Sequence, residues 1–174
     1  MRKIKDRILL GVVSGITASI IGHTVNIIEH KAKKIDPPYS LVPSKIFFDK
    51  NKDEDLTAQV TAVIANLIMA SVVSTITAYT LSLTGKDKAI LKGAGIWSIF
   101  WVTLAGVFYN TVLGVKPKNT KIPLLSLADH ILMGTITSLI IVKLGDSRLF
   151  PDKKMTYRRK IPIFNLGYSE KSRH

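Results

Sequence analysis

Cysteine is absent from the 174 residues, which excludes thiol catalysis, Cys-ligated zinc, iron–sulfur clusters and disulfides together. Acidic residues are scarce: 12 Asp and Glu stand against 25 Lys and Arg, for a formal net charge of +13. Chemistry motifs are missing as well. No HExxH, EF-hand loop or di-iron ExxH pair marks a metal site, and no glycine-rich phosphate loop, GxSxG, carboxylate pair or Ser–His–Asp order marks an enzyme.

The most informative shortage is of charge over long stretches. None lies in the 21 positions between Arg7 and Glu29, the 30 between Asp55 and Lys86, or the 23 between Lys92 and Lys116. The 21 positions between Lys121 and Lys143 are interrupted by Asp129 alone. A hydrocarbon core of about 30 Å needs roughly 20 apolar residues as helix, so each run is long enough to span it. With 47% hydrophobic residues and a mean hydropathy of +0.24, the pattern excludes a soluble enzyme, a secreted disulfide scaffold and a disordered tail protein. The expected fold is all-α: an integral membrane four-helix bundle with spans at about 8–28, 56–83, 89–113 and 124–144, followed by a basic tail over 145–174. The first run is longer than the apolar core of a cleaved signal and lacks a small-x-small site, so it reads as a retained span.

Lys and Arg set the orientation. With the N-terminus inside, the inner segments hold 16 of the 25 basic residues, at Arg2–Arg7, Lys86–Lys92 and from Lys143 onward. Both termini are therefore expected on the cytoplasmic side of a cell membrane, with a short inner hairpin turn at Thr84–Lys88 and a longer outer loop carrying Pro37, Pro38 and Pro43. The same arithmetic accounts for the basic surplus without nucleic acid. The tail, with Lys153-Lys154 and Arg158-Arg159-Lys160 among Phe150, Tyr157, Ile161 and Phe164, is expected on the anionic inner leaflet.

Each helix also has a small, polar face at about 100° per residue. On the first it is Gly11, Gly15, Ser19, Gly22, His23, Asn26 and His30; on the second, Ala58, Gln59, Ala62, Asn66, Ala70, Ser74 and Thr77. The third gathers Thr103, Gly106, Asn110 and Gly114, and the fourth His130, Gly134, Thr137 and Ser138. Up-down topology brings His23, Asn26, His30, Gln59, Asn110 and His130, with Asn66 somewhat deeper, into the outer half of the bundle. Three uses compete for this cluster: interhelical hydrogen bonding, a small-ligand or transport site, and a metal or haem site. His23 and His30 are two turns apart, about 10 Å of rise, which is too far for easy chelation of one ion. Ser126-x-x-Asp129 reads as a capping box opening helix four, and Glu29 is expected at the aqueous interface, away from the His23 stripe.

The order of elements, the proline-bearing outer loop and Leu91-Lys92-Gly93-Ala94-Gly95-Ile96-Trp97-Ser98-Ile99-Phe100-Trp101 resemble the YqhR-like small membrane proteins of spore-forming bacteria. The resemblance implies a bacterial four-helix membrane protein and brings no active-site residues with it. The function expected is a non-enzymatic structural or binding role without a cofactor, as an accessory subunit or homo-oligomer. The alternatives are a small transporter or channel component and a metal- or haem-binding membrane protein.

Overall fold

The structure is a computed structural model describing residues 3–32, 34, 39–48, 55–112 and 121–151, with side chains except at 39–41 and 108–112. Four helices account for most of it: α1 (Arg7–Lys31), α2 (Leu56–Thr84), α3 (Ala89–Trp101) and α4 (Lys121–Leu144). All four, α3 with the turns that follow it, are long and apolar enough to cross a membrane. No β-strand occurs among the described residues; one isolated bridge joins Ile4 to Gly145.

The helix boundaries have local causes. Asp6 caps α1 by accepting from Leu9 N at 2.7 Å, and Asp55 caps α2 by accepting from Thr57 N at 2.8 Å. Gly85 ends α2 with φ +87°, a conformation that a Cβ disfavours. Lys92 then turns back so that its Nζ donates to the carbonyls of Thr84 (3.2 Å) and Gly85 (3.0 Å) and to Asp87 (3.3 Å). A cation thus sits on carbonyls that the helix leaves open at its C-terminal end. The long connection between α1 and α2 contains a 3-10 helix, Tyr39–Ile46, which bears Pro43 and packs on α2. Pro43 and Ser44 are buried, and Phe47 just beyond is 62% exposed.

The helices pack antiparallel in sequence order, α1 chiefly on α2 and α3 on α4, with α1 against α4 joining the pairs. Small residues set the approach. A Cβ on Gly15 would lie 2.5 Å from Ala70 O, and one on Gly134 2.5 Å from Gly93 O, so the α1–α2 and α3–α4 backbones nearly touch. The buried faces of α1 (Gly11, Gly15, Ser19, Asn26), α2 (Ala58, Ala62, Ala70, Ser74, Thr77) and α4 (Gly134, Thr137, Ser138) carry residues expected there.

The third helix corrects its expectation. Its buried face is Ala89, Gly93 and Trp97, whereas Thr103 and Gly106 are exposed. The close Gly93–Gly134 contact turns that face inward. Beyond Trp101 the chain continues as a π-helix, Val102–Val112, instead of an α-helix.

Buried chemistry is layered along the bundle. At the near end, where α1 starts and α4 ends, Leu10, Ala78, Leu81, Ala89 and Ile141 pack with Leu149 and Phe150. The stretch after α4 therefore folds back as a lid: Phe150 is buried, with Lys86 Nζ 4.4 Å from its ring centroid. Residues 152–174, expected on the membrane surface, lie outside the described residues. Above this apolar layer come fully buried hydroxyls, Ser14, Ser74, Thr77, Thr137 and Ser138. Most bond a carbonyl of their own helix, as Ser14 does with Leu10 O (2.6 Å) and Thr77 with Val73 O (2.9 Å). Such bonds let hydroxyls enter an apolar bundle without an open donor.

Candidate functional site: the far-half polar layer

Beyond the hydroxyl layer, toward the far end, α1, α2 and α4 carry His and amide side chains. Seven residues were expected to form this layer. Asn26 is buried, 5% exposed, and His23 is partly buried on the same face of α1. Gln59 and Asn66 are partly buried on α2, and His130 partly buried on α4. His30 is exposed, so it stands at the rim. Asn110 lies on the π-helical backbone, and its side chain is outside the described residues.

His130 has the most defined setting. Its Nδ1 is 2.7 Å from Ser126 O. A carbonyl can only accept, so the proton sits on Nδ1 and a neutral ring leaves Nε2 as acceptor. The ring stacks obliquely with Trp97 and Phe100, each centroid 6.3 Å away, and those two rings are 6.3 Å apart edge to face. Trp97 is 1% exposed, and its Nε1 finds no acceptor among the described residues. Trp101 Nε1 donates to Ser126 Oγ at 3.2 Å, which ties the start of α4 to the end of α3.

Two expectations about acids are corrected here. Helix four begins at Lys121, so Ser126 lies inside the helix, bound by His130, and no capping box forms. Glu29 turns inward instead of to water: it is partly buried, and its carboxyl is in hydrogen-bonding contact with Asp129 across the α1–α4 seam. Asp129 and His130 diverge by 100° on α4, so α4 presents the acid to α1 and the imidazole to α3. Isolated helical wheels place each residue relative to its own axis and carry no information on which neighbour it meets. A 100° offset from the small-residue stripe was the available signal.

Several buried polar atoms in this layer have no hydrogen-bond partner among the described residues, including His23 Nε2 and Glu29 Oε2. Most buried polar atoms in folded proteins are satisfied, so the α1 side of this layer has hydrogen-bonding capacity that the described residues do not use. Among the described residues no three His, Asp or Glu converge in a metal-binding arrangement. Comparison of the chain with family models, with curated proteins and with solved structures finds no match.

Proposed function

We propose that the chain is a multi-pass membrane protein with a non-enzymatic structural or binding role, acting as an accessory subunit or oligomer, with both termini cytoplasmic. The observation that carries the membrane reading is the exposed apolar surface on every helix: Ile8, Ile20 and Ile28 on α1, Ile64, Ile68 and Val72 on α2, Leu91 and Ile99 on α3, Leu139 on α4. A contiguous surface of this kind is unfavourable in water and matches acyl chains. The orientation is supported by charge, since the near end carries Lys3, Lys5, Arg7, Lys86, Lys88, Lys92, Lys143 and Arg148.

Within the bundle, the binding role belongs to the far-half polar layer. The apolar packing of Leu10, Leu81, Ile141, Leu149 and Phe150 closes the near end, so the polar layer ends blind. That favours a binding or fastening role over a continuous path for ions, and the transporter reading would require this seal to open.

The absence of cysteine makes the topology directly testable. Lys34→Cys, exposed at the far end, should react with a membrane-impermeant maleimide added to intact cells, and Lys88→Cys, exposed at the near end, should react only after permeabilisation. The opposite pattern would invert the orientation. Labelling of both from outside, together with release of the protein by alkaline carbonate, would end the membrane reading.

A further inference from the structure

The bridge at the near end brings like charges together. Ile4 N donates to Leu144 O (2.9 Å) and Asp146 N donates to Ile4 O (2.9 Å). Lys3 Nζ donates to the Lys143 carbonyl. This pairing lays the Lys3–Arg7 stretch beside Lys143–Arg148, so that five cations flank one clasp. The acids nearby are engaged: Asp6 caps α1, Asp87 holds Lys92, and Asp146 accepts from both Nε and Nη2 of Arg148 at 3.1 Å. Cations forced together and only partly compensated call for an anion.

Lys5, Asp146, Arg148 and Leu149 line an open groove of about 260 Å³ between the two stretches. Asp146 grips one edge of the guanidinium, which fixes its plane while leaving further N–H groups for a second acceptor. That grip holds the Asp146 carboxyl well below its ordinary range, at about 2, chiefly through the hydrogen bond from Arg148. The groove lies just before α1 starts and just after α4 ends. Ile8 and Leu9, each more than half exposed, begin the lipid-facing surface of α1 at the same end.

We propose that this groove binds the phosphate of an anionic phospholipid of the inner leaflet, with Lys5 and Arg148 as the donors and the acyl chains lying toward Ile8 and Leu9. The proposal deepens the membrane reading and rests on it. Lys5 and Arg148 are exposed, so neither is needed for packing. Arg148 is held in position by Asp146, and the bridge that places Lys5 is made of backbone.

The test uses the full chain purified in detergent, with phosphatidylglycerol, phosphatidylcholine and inorganic phosphate as separate probes in native mass spectrometry and thermal-shift titrations. The expected result is retention of phosphatidylglycerol in preference to phosphatidylcholine. Joint Lys5→Ala and Arg148→Ala replacement should weaken it by roughly 30-fold, while Lys34→Ala at the far end has no effect. The single Lys5→Glu variant, judged on an unchanged elution volume and helical signal, should lose the preference without the loss of Arg148. Equal phosphatidylglycerol binding by wild-type and double-variant protein would overturn the proposal. So would inorganic phosphate competing at the same concentration as the lipid, since the groove would then be a site for the free anion. Carbonate extraction reports separately on membrane insertion, so failure of the groove and failure of the membrane reading give different results.

Discussion

Glu29 on α1 and Asp129 on α4 set their carboxyl groups in hydrogen-bonding contact across the seam that joins the two helix pairs. Ionised carboxylates are acceptor-only, so the contact is a hydrogen bond while one of them holds a proton and a repulsion when neither does. Asp129→Asn supplies a permanent donor. In detergent, the variant is expected to be more stable than wild type by about 1–3 kcal/mol, measured by thermal unfolding. A variant no more stable than wild type would show that the two carboxyl groups do not oppose each other in the fold.

The glycines of α3 make opposite predictions two residues apart. A Cβ on Gly93 would meet the side chain of Ser138 at 2.7 Å as well as the Gly134 carbonyl, while one on Gly95 meets nothing within 4 Å. Gly93→Ala should therefore separate α3 from α4 and cost about 1–3 kcal/mol. Gly95→Ala should be neutral or stabilise by up to about 1 kcal/mol through helix propensity. Unfolding of the two variants in mixed detergent micelles measures both; a Gly93→Ala protein as stable as wild type would refute the close packing.

How much of this was legible beforehand varies by helix, for physical reasons. Charge-free runs placed the helices within a few residues, α1 at Arg7–Lys31 against an expected 8–28, because apolar runs of about 20 residues are longer than ordinary strands and read as helix. The buried faces of α1, α2 and α4 followed from small residues, since Gly15 and Gly134 mark real backbone contacts. On α3 the same rule chose Thr103 and Gly106 over Gly93 and Trp97. A buried tryptophan against a glycine is packing that a search for small polar residues passes over. The π-helix at Val102–Val112 changes hydrogen-bond register without a compositional mark. The Glu29–Asp129 contact and the Ile4–Gly145 bridge join residues about 100 or more positions apart, and periodicity within one element cannot show them.

The near-end clasp should respond to acid. Asp146 titrates at about 2 instead of its ordinary 3.8, held there first by the hydrogen bond from Arg148. A carboxyl depressed on folding contributes stability that is complete above its ordinary value and is lost as pH falls through about 2. Hydrogen exchange at the Ile4 and Asp146 amides, both in the bridge, should therefore gain an acid-induced acceleration between pH 4 and pH 2, beyond the intrinsic rate. Asp146→Asn should show fast exchange at neutral pH and lose that step. An unchanged step in the variant would assign it to another group.

Trp97 tests whether the aromatic knot serves packing or hydrogen bonding. It fills the α3–α4 contact at 1% exposure beside Phe100 and His130, yet its Nε1 has no acceptor among the described residues. Trp97→Phe removes the donor and keeps most of the ring, so it should cost under about 1.5 kcal/mol, because a desolvated N–H is removed along with some volume. Trp97→Ala leaves a cavity and should cost about 3–5 kcal/mol. Equilibrium unfolding in micelles gives both values. Near-equal losses for Phe and Ala would mean that Nε1 makes a bond essential to the fold, through a buried water for instance, and that the His130 side of the polar layer is wet.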